Sequence, residues 1–193
     1  MSFLVDTSNR SSEMEIMDDF TMEGVLLRDT LDKLKTINRF LGGNSVTIWG
    51  LKKLLENQSK NKTITIIDLG CGNGDILRYV SKFGRENNYS FKLIGIDANY
   101  AAIEYAKELS KEYSELSFST IDILSEDFKN QSYDIALCTL FLHHFKNEVL
   151  VSVLKTITEK ATIGVVVNDL HRHKLAYYLF KLIGFFIKNK MVR

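Results

Sequence analysis

The feature that most constrains the fold is a regular alternation of short apolar runs with amphipathic stretches. Five runs have the length and composition of strands, at residues 63–69, 91–96, 116–121, 133–138 and 163–167. Apolar residues recur at helical spacing between several of these runs, at residues 75–83, 100–113 and 148–160. Near-continuous apolar strands that alternate with helices predict a parallel sheet covered on both faces. With right-handed crossovers, the result is an α/β fold with a Rossmann-like doubly wound sheet that is mainly parallel.

The chain before the first strand run has a different character. Residues 1–15 are polar, and we expect them to be mobile. Leucine and isoleucine then recur at helical spacing in two stretches that end at residue 55. We therefore predict a helical cap over residues 16–62 and a Rossmann-like ligand-binding domain over residues 63–193, both within a single globular unit.

Composition narrows the class of protein. The 193 residues include 25 Lys and Arg against 24 Asp and Glu, so the formal net charge is +1. This balance argues against charge-driven binding of nucleic acid, which needs a basic face. Two cysteines cannot form a disulfide scaffold, and the N-terminus lacks the basic and apolar regions of a secretory signal. We therefore expect a cytoplasmic protein, and no metal site because no CxxC-type spacing is present.

The C-terminal segment at residues 175–187 is apolar but is interrupted by Lys181. A helix that crosses a bilayer needs about 20 apolar residues. We therefore expect no membrane span, and a helix packed on the sheet. The alternative is an interfacial or partner-binding helix, because Lys188, Lys190 and Arg193 follow.

A glycine-rich loop follows the first predicted strand. Gly70, Gly72 and Gly74 have the spacing GxGxG, which differs from the GxGxxG of a dinucleotide site. Glycines allow the backbone to turn tightly and to approach a ligand closely. Asp68, two positions before the first glycine, would repel a pyrophosphate but suits a ligand that carries an ammonium group.

Two further carboxylates follow later strands. Asp97 ends the second predicted strand, where an acidic residue can bind both hydroxyls of a ribose. Asp122 ends the third, where a carboxylate can accept a hydrogen bond from an exocyclic amine such as that of adenine. Ligands of such sheets bind at the carboxyl ends of the strands. Asp68, Asp97 and Asp122 are therefore expected to face one ligand.

The glycine loop and these strand ends resemble class I S-adenosylmethionine-dependent methyltransferases over about residues 16–188. The segment LCTLFLHHF resembles small-molecule members of the quinone and polyketide type. The resemblance implies S-adenosylmethionine as cofactor and S-adenosylhomocysteine as product. It implies cofactor contacts from the loop with its preceding carboxylate, from the ends of the second and third strands, and from the end of the fourth strand: Asp68, Gly70, Cys71, Gly72, Asn73 and Gly74; Asp97, Ala98, Asn99, Asp122 and Ile123; Thr139 and Leu140.

Arginine and histidine side chains complete the expected site. Arg28 or Arg39, on the N-terminal helices, is a candidate partner of the cofactor carboxylate. A base assists methylation of a phenol or enol, and histidine suits this role near pH 7. His143, His144 and His171 follow the fourth and fifth strands and are the candidates. Because neighbouring residues of a helix point in different directions, we expect only one of the first two to face the pocket.

We expect a soluble enzyme that methylates a small molecule, with the oxygen of a phenol, quinol or polyketide-like compound as acceptor and no nucleic-acid partner. The alternative is a cofactor-binding or regulatory module without catalysis. The GxGxG spacing with Asp68 disfavours a nicotinamide-dependent oxidoreductase. A chain without proline also lacks the [DN]PP[YF] element of many nucleic-acid and protein methyltransferases.

Class I methyltransferases usually close the sheet with an antiparallel hairpin after the last helix. The sequence stops at Arg193, so we expect this C-terminal hairpin to be missing. The edge of the fifth strand would then be exposed, which predicts either poorer solubility or a homodimer through this surface.

Overall fold

The structure is a computed structural model that describes residues 19–170 and the single residue Tyr178. The predictions for residues 1–15 and for His171 lie outside the described residues. The same holds for the apolar segment 175–187, apart from Tyr178.

The centre of the described part of the chain is one sheet of five strands. They are β1 (Ile64–Leu69), β2 (Phe91–Asp97), β3 (Leu116–Thr120), β4 (Tyr133–Thr139) and β5 (Ala161–Asn168). Their order in the sheet is β3-β2-β1-β4-β5, and every neighbouring pair is parallel. The order reverses between β1 and β4, which is the place where doubly wound sheets bind ligands. The predicted α/β class and the Rossmann-like sheet are confirmed.

Six α-helices accompany the strands within residues 19–170. They are α1 (Gly24–Phe40), α2 (Gly43–Leu55), α3 (Asp75–Glu86), α4 (Tyr100–Leu109), α5 (Glu126–Lys129) and α6 (Asn147–Lys160). The sequence pattern did not indicate α5, because four residues are too few to show a helical period. Its start is nevertheless marked by Ser125, whose hydroxyl accepts a hydrogen bond from the Phe128 backbone N–H at 3.4 Å.

The first helix begins later than the sequence pattern predicts. The helical cap was expected to begin at residue 16, whereas its first described helix, α1, starts at Gly24. Before it, the Asp19 carboxylate accepts hydrogen bonds from the backbone N–H and the hydroxyl of Thr21, at 2.9 and 2.6 Å. Aspartate stabilises such local turns at the expense of helix, which explains the later start within the described part.

Two hydrophobic clusters cover the two faces of the sheet. Neighbouring residues of β1, Ile66 and Ile67, are both fully buried and belong to different clusters, as the alternation of side chains along a strand requires. The first cluster contains residues of α2, α3 and α4, and the second contains residues of α5 and α6. Burial on both faces accounts for the near-continuous apolar strands.

The N-terminal helices lie close to the carboxyl edge of the sheet. The side-chain amide of Asn168, at the end of β5, donates to the Gly43 carbonyl at 2.9 Å and to the Thr47 hydroxyl at 3.0 Å. The start of α2 is thereby fixed to the end of β5. Leu27 and Leu31 of α1 pack in a third small cluster with residues of α4.

Within the part of the chain that the structure describes, β5 pairs only with β4, and no strand is antiparallel to another. None of the helices in this part combines the length and the apolar character that crossing a bilayer requires.

The short helix α5 offers a direct test of the second cluster. Phe128 is completely buried and lies 6.3 Å from the Tyr133 ring, centroid to centroid. We expect Phe128→Ala to lower the free energy of unfolding by about 3–5 kcal/mol, because a large cavity replaces the ring. Urea denaturation measures this change. Val151→Ala, at a site that is 72% exposed on α6, is the control and should change stability by less than about 0.5 kcal/mol. A similar small effect for both variants would contradict the packing described.

Candidate functional site

The loop between β1 and α3 turns on three glycines with left-handed backbone. The φ angles are +68° at Gly70, +51° at Gly72 and +74° at Gly74, a region that glycine adopts without steric cost. A Cβ atom at Gly70 would collide with the ring of Phe141. The loop is thus a tight cradle of backbone atoms at the carboxyl end of β1, as expected.

Asp97 connects this loop to the neighbouring strand. One carboxylate oxygen accepts a hydrogen bond from the Gly72 backbone N–H, and the other accepts one from the Asn99 backbone N–H, both at 2.9 Å. Burial raises the pKa of Asp97, and the two backbone N–H groups and nearby His144 oppose that rise. Each carboxylate oxygen has capacity for a further hydrogen bond, so the group can still receive the hydroxyls of a ribose.

Asp68 is the most deeply buried carboxylate of the site, with 2% of its surface exposed. Burial raises its pKa well above the usual range, and the negative charges of Asp75 and Asp97 add to this effect. Among the described residues, no hydrogen bond to the Asp68 carboxylate offsets this rise in its pKa. A cationic group placed here would compensate its charge, so Asp68 fits a ligand with an ammonium group.

The helix α1 lies over the glycine loop. One oxygen of Asp32 accepts a hydrogen bond from the Asn73 side chain at 3.3 Å, and the other accepts one from the Tyr105 hydroxyl at 2.7 Å. Burial, followed by the contact with Asp32, raises the pKa of Tyr105 to about 12. The side chain of Asn99 donates to the Met22 carbonyl at 2.8 Å. Sequence reasoning missed Asp32, because its partners lie far along the chain.

The two candidate arginines differ in their surroundings. The Arg28 guanidinium forms a 2.9 Å ion pair with Glu108 and lies 4.6 Å from the centroid of the Tyr105 ring. Arg39 lies exposed in the last turn of α1. The role of either residue toward a cofactor carboxylate stays a prediction, and Arg28 is the weaker candidate because it already has a carboxylate partner.

The residues predicted to face adenine lie beside Asp97. The Ile121 N–H donates to the Asp97 carbonyl at 3.0 Å, which brings the end of β3 next to the end of β2. Asp122 is exposed, and its carboxylate accepts a hydrogen bond from the Leu124 N–H at 2.8 Å. Ile123 is buried in the second cluster, and Ala98 is half-buried. Their contacts with a cofactor stay predictions.

The end of β4 is unusual in its backbone. Leu140 has a φ of +52°, which is uncommon for a residue other than glycine and carries a conformational cost. Its N–H donates to the Asn168 carbonyl at 2.8 Å, so β5 holds it there. The Thr139 hydroxyl lies 3.1 Å from the Thr47 hydroxyl of α2. This strained turn directs the following ring of Phe141 onto the glycine loop.

His143 and His144 follow in a single 3₁₀ turn, Leu142–His144. Their rings lie 4.2 Å apart, centroid to centroid, with 35° between the planes. The two rings thus lie against each other, because the turn ends at His144 and no continuing helix separates them. That only one of the two faces the pocket stays a prediction.

His143 also pairs with a carboxylate that the sequence analysis missed. Its Nδ1 lies 2.6 Å from one oxygen of Asp169, and its backbone N–H donates to the other at 3.0 Å. Burial opposes ionisation of Asp169, but its hydrogen bonds with His143 and Leu170 lower its pKa below the usual value. The signal was available, because Asp169 directly follows β5, much as Asp97 ends β2.

The two cysteines are free thiols. Burial raises the pKa of Cys71 well above the usual range and raises that of Cys138 to about 12. Neither thiol is suited to act as a nucleophile. The predicted contribution of Cys71 to cofactor binding is therefore that of its backbone in the glycine loop.

Comparison with known proteins gives the family. The family model described as a methyltransferase domain matches residues 60–174. The protein named methyltransferase 235L of Invertebrate iridescent virus 6 is 35% identical over 86 residues, which cover 45% of this chain and 29% of that protein. The ribosomal RNA large subunit methyltransferase G of Pseudoalteromonas translucida (strain TAC 125) is 38% identical over 89 residues, covering 43% of this chain and 22% of that protein.

Solved structures share the fold at low identity. The plantazolicin methyltransferase BpumL, in complex with S-adenosylhomocysteine (SAH), has a TM-score of 0.59 and 23% identity over 86% of this chain and 58% of its own. The CurJ carbon methyltransferase has a TM-score of 0.55 and 20% identity over 69% and 37%. The [4+2]-cyclase SpnF has a TM-score of 0.50 and 17% identity over 65% and 44%.

The chain spans 29% and 22% of the length of these two relatives. The family model, by contrast, covers more than half of the 193 residues. The parallel sheet and the glycine loop lie within the matched range. The chain belongs to the methyltransferase-domain family, whose members use S-adenosylmethionine.

Proposed function

We propose that this chain binds S-adenosylmethionine and transfers its methyl group to the oxygen of a small molecule, such as a phenol, a quinol or a polyketide-like compound. The observation that carries the proposal is the convergence of Asp68, Asp97 and His143 on the carboxyl edge of the sheet around the glycine loop. Two of these residues suit the cofactor, and the third suits the acceptor.

The described residues fit the cofactor. Asp68 would pair with the ammonium group of the methionine part, and Asp97 would accept hydrogen bonds from the ribose hydroxyls. The backbone of the glycine loop allows close approach of the methionine part. When bound, the cofactor supplies a methyl group that its sulfonium has already activated. The helix α1 over the loop would exclude water from this methyl group.

The chemistry that remains for the chain is orientation and proton removal. In the proposed step, the hydroxyl proton of the acceptor moves to a ring nitrogen of His143. The oxygen would then use its electron pair to bond to the methyl carbon that the cofactor supplies, and the electron pair of the broken carbon–sulfur bond would stay on sulfur, giving SAH. His144 and His171 remain candidate bases, the latter outside the described residues.

A module that binds the cofactor without catalysis is the second candidate. The observation behind it is that the same fold also occurs in a [4+2]-cyclase, so the fold is not tied to methyl transfer. Fold alone does not determine chemistry. Cofactor binding without turnover would distinguish this candidate from the enzyme.

The cellular setting is part of the proposal. Two free, buried thiols are compatible with a reducing compartment such as the cytoplasm.

The edge of β5 is the surface through which we propose a homodimer. The helical cap at residues 16–62 remains a proposed unit, and its described helices are α1 and α2.

Methyl transfer from radiolabelled S-adenosylmethionine to a panel of phenols, catechols and quinols tests the function. We expect turnover by the wild-type chain. For His143→Gln we expect kcat to fall by at least about 10²-fold, because general base catalysis is lost. The affinity for SAH, measured by calorimetry, should be unchanged. Lys155→Gln, at an exposed position on α6, is the control. SAH binding with no turnover on any acceptor would favour the non-catalytic module.

The buried carboxylate gives a prediction on pH. Because the pKa of Asp68 in the folded state lies above its unfolded value of 3.8, the protonated form stabilises the fold below pH 3.8. This contribution is lost as pH rises through the raised pKa. At pH 8 without ligand, we therefore expect Asp68→Asn to unfold at a higher temperature than the wild type. The difference should shrink toward pH 4.

Thermal unfolding between pH 4 and 8 measures this effect. Asp127→Asn, at an exposed carboxylate on α5, is the control and should follow the wild-type profile. The same Asp68→Asn variant should bind SAH more weakly than the wild type. A variant that is less stable than the wild type at every pH would contradict the account of Asp68.

A further inference from the structure

Asp169 holds His143 at two points. Its Oδ1 atom lies 2.6 Å from the ring Nδ1, and its Oδ2 atom accepts the backbone N–H at 3.0 Å. The side chains of His143 and Asp169 are 19% and 17% exposed. One carboxylate thus binds both the backbone and the ring of the same histidine. The backbone contact fixes where His143 lies relative to Asp169, and the ring contact fixes how its imidazole is oriented.

The position of this carboxylate is itself fixed from several sides. The Leu170 N–H donates to its Oδ1 atom at 2.7 Å. The preceding residue, Asn168, donates its side-chain amide to Gly43 and Thr47 at the start of α2, and its carbonyl accepts the Leu140 N–H at 2.8 Å. The start of α2 and the residue that follows β4 therefore both hold the end of β5.

We propose that Asp169 is the positioning residue of the site: it holds His143 in the tautomer with hydrogen on Nδ1, so that the basic lone pair is on Nε2. This rests on the proposed function, because it assumes that His143 is the base. A carboxylate accepts hydrogen bonds and cannot donate one when ionised. A neutral imidazole beside it must therefore place its hydrogen on the facing nitrogen.

During methyl transfer, the His143–Asp169 pair would take up the proton that the acceptor hydroxyl loses. The acceptor proton binds at Nε2 and yields an imidazolium, whose charge Asp169 stabilises while remaining ionised. Such a pair assists an acceptor whose hydroxyl must lose its proton for reaction, which is the case for a phenol or an enol. The inferred substrate class is therefore an acidic hydroxyl.

The charged groups around the pair are few among the described residues. His144 lies against His143 in the same turn, and Asp97 at the end of β2 interacts with His144. Cys138 of β4 interacts with Asp169, and burial keeps its thiol protonated by raising its pKa to about 12. Asp169 has a pKa below its usual value, so it is ionised throughout the range in which a histidine titrates.

Nitrogen NMR of the full chain with ¹⁵N-labelled histidine tests the proposal without any acceptor. We expect the wild-type spectrum at pH 8 to show His143 with hydrogen on Nδ1, assigned by its loss in His143→Gln. In Asp169→Asn, the side-chain amide can donate to Nδ1, so the hydrogen should move to Nε2. Asp169→Glu keeps a carboxylate and should retain the wild-type tautomer at least in part, which keeps the test decisive if the asparagine variant folds poorly.

Asp134→Asn is the matched control. Asp134 is a carboxylate at the opposite end of the sheet, where it accepts hydrogen bonds from the Thr65 N–H and the Thr162 hydroxyl at 2.8 and 2.6 Å. This variant loses a carboxylate from the same sheet and should leave the His143 spectrum unchanged. A wild-type His143 with hydrogen on Nε2, or an unchanged tautomer in Asp169→Asn, would overturn the proposal.

Kinetics separates this proposal from the proposed function. With an acceptor that turns over, Asp169→Asn should lower kcat about 10²-fold, leave KM for S-adenosylmethionine unchanged, and alter the pH profile of kcat. Asp169→Glu should recover part of the rate. An unchanged kcat and pH profile in Asp169→Asn would refute the positioning role. If no acceptor turns over in the wild type, the proposed methyl transfer to oxygen is contradicted, while the NMR result still decides whether Asp169 sets the tautomer.

Discussion

The site depends above all on the two backbone hydrogen bonds that Asp97 accepts. One joins the end of β2 to the glycine loop after β1, and the other joins it to the start of α4. Asn99 extends this connection, since its side chain caps α4 through the Ala102 N–H and donates to the Met22 carbonyl before α1. The sheet, the loop and the first helix are thus brought together at one carboxylate, beside the point where the strand order reverses.

This arrangement concentrates unfavourable features in one place. Asp68 is buried, the half-buried Asp97 lies near it, and loss of solvent around them raises the pKa of both carboxylates. Leu140 has left-handed backbone at the end of β4. Buried like charges and strained backbone cluster at functional sites, where a ligand compensates them. A cation near Asp68 would offset the charge of the two carboxylates, which gives a physical reason for the fold to bind S-adenosylmethionine.

Local chemistry made the fold and the turn geometry of the glycine loop predictable. Strands buried on both faces are continuously apolar, glycines mark the left-handed turn, and the ends of parallel strands share one edge of the sheet. Contacts between distant residues had no such signal. Asp32 and Tyr105 are 73 positions apart, and His143 and Asp169 are 26 positions apart. Their pairing follows from the packing of α1 on α4 and of β5 beside β4, so only the structure could reveal it.

Thermal unfolding with SAH, for the wild type and for Asp97→Ala, tests the central claim most directly. A ligand of the native state at 100 times its dissociation constant adds about 2.7 kcal/mol, which raises Tm by about 5–11 °C in a chain of this size. The account predicts this rise for the wild type with SAH, no rise with NADH, and loss of the rise in Asp97→Ala. No rise with SAH, or an equal rise with NADH, would contradict it.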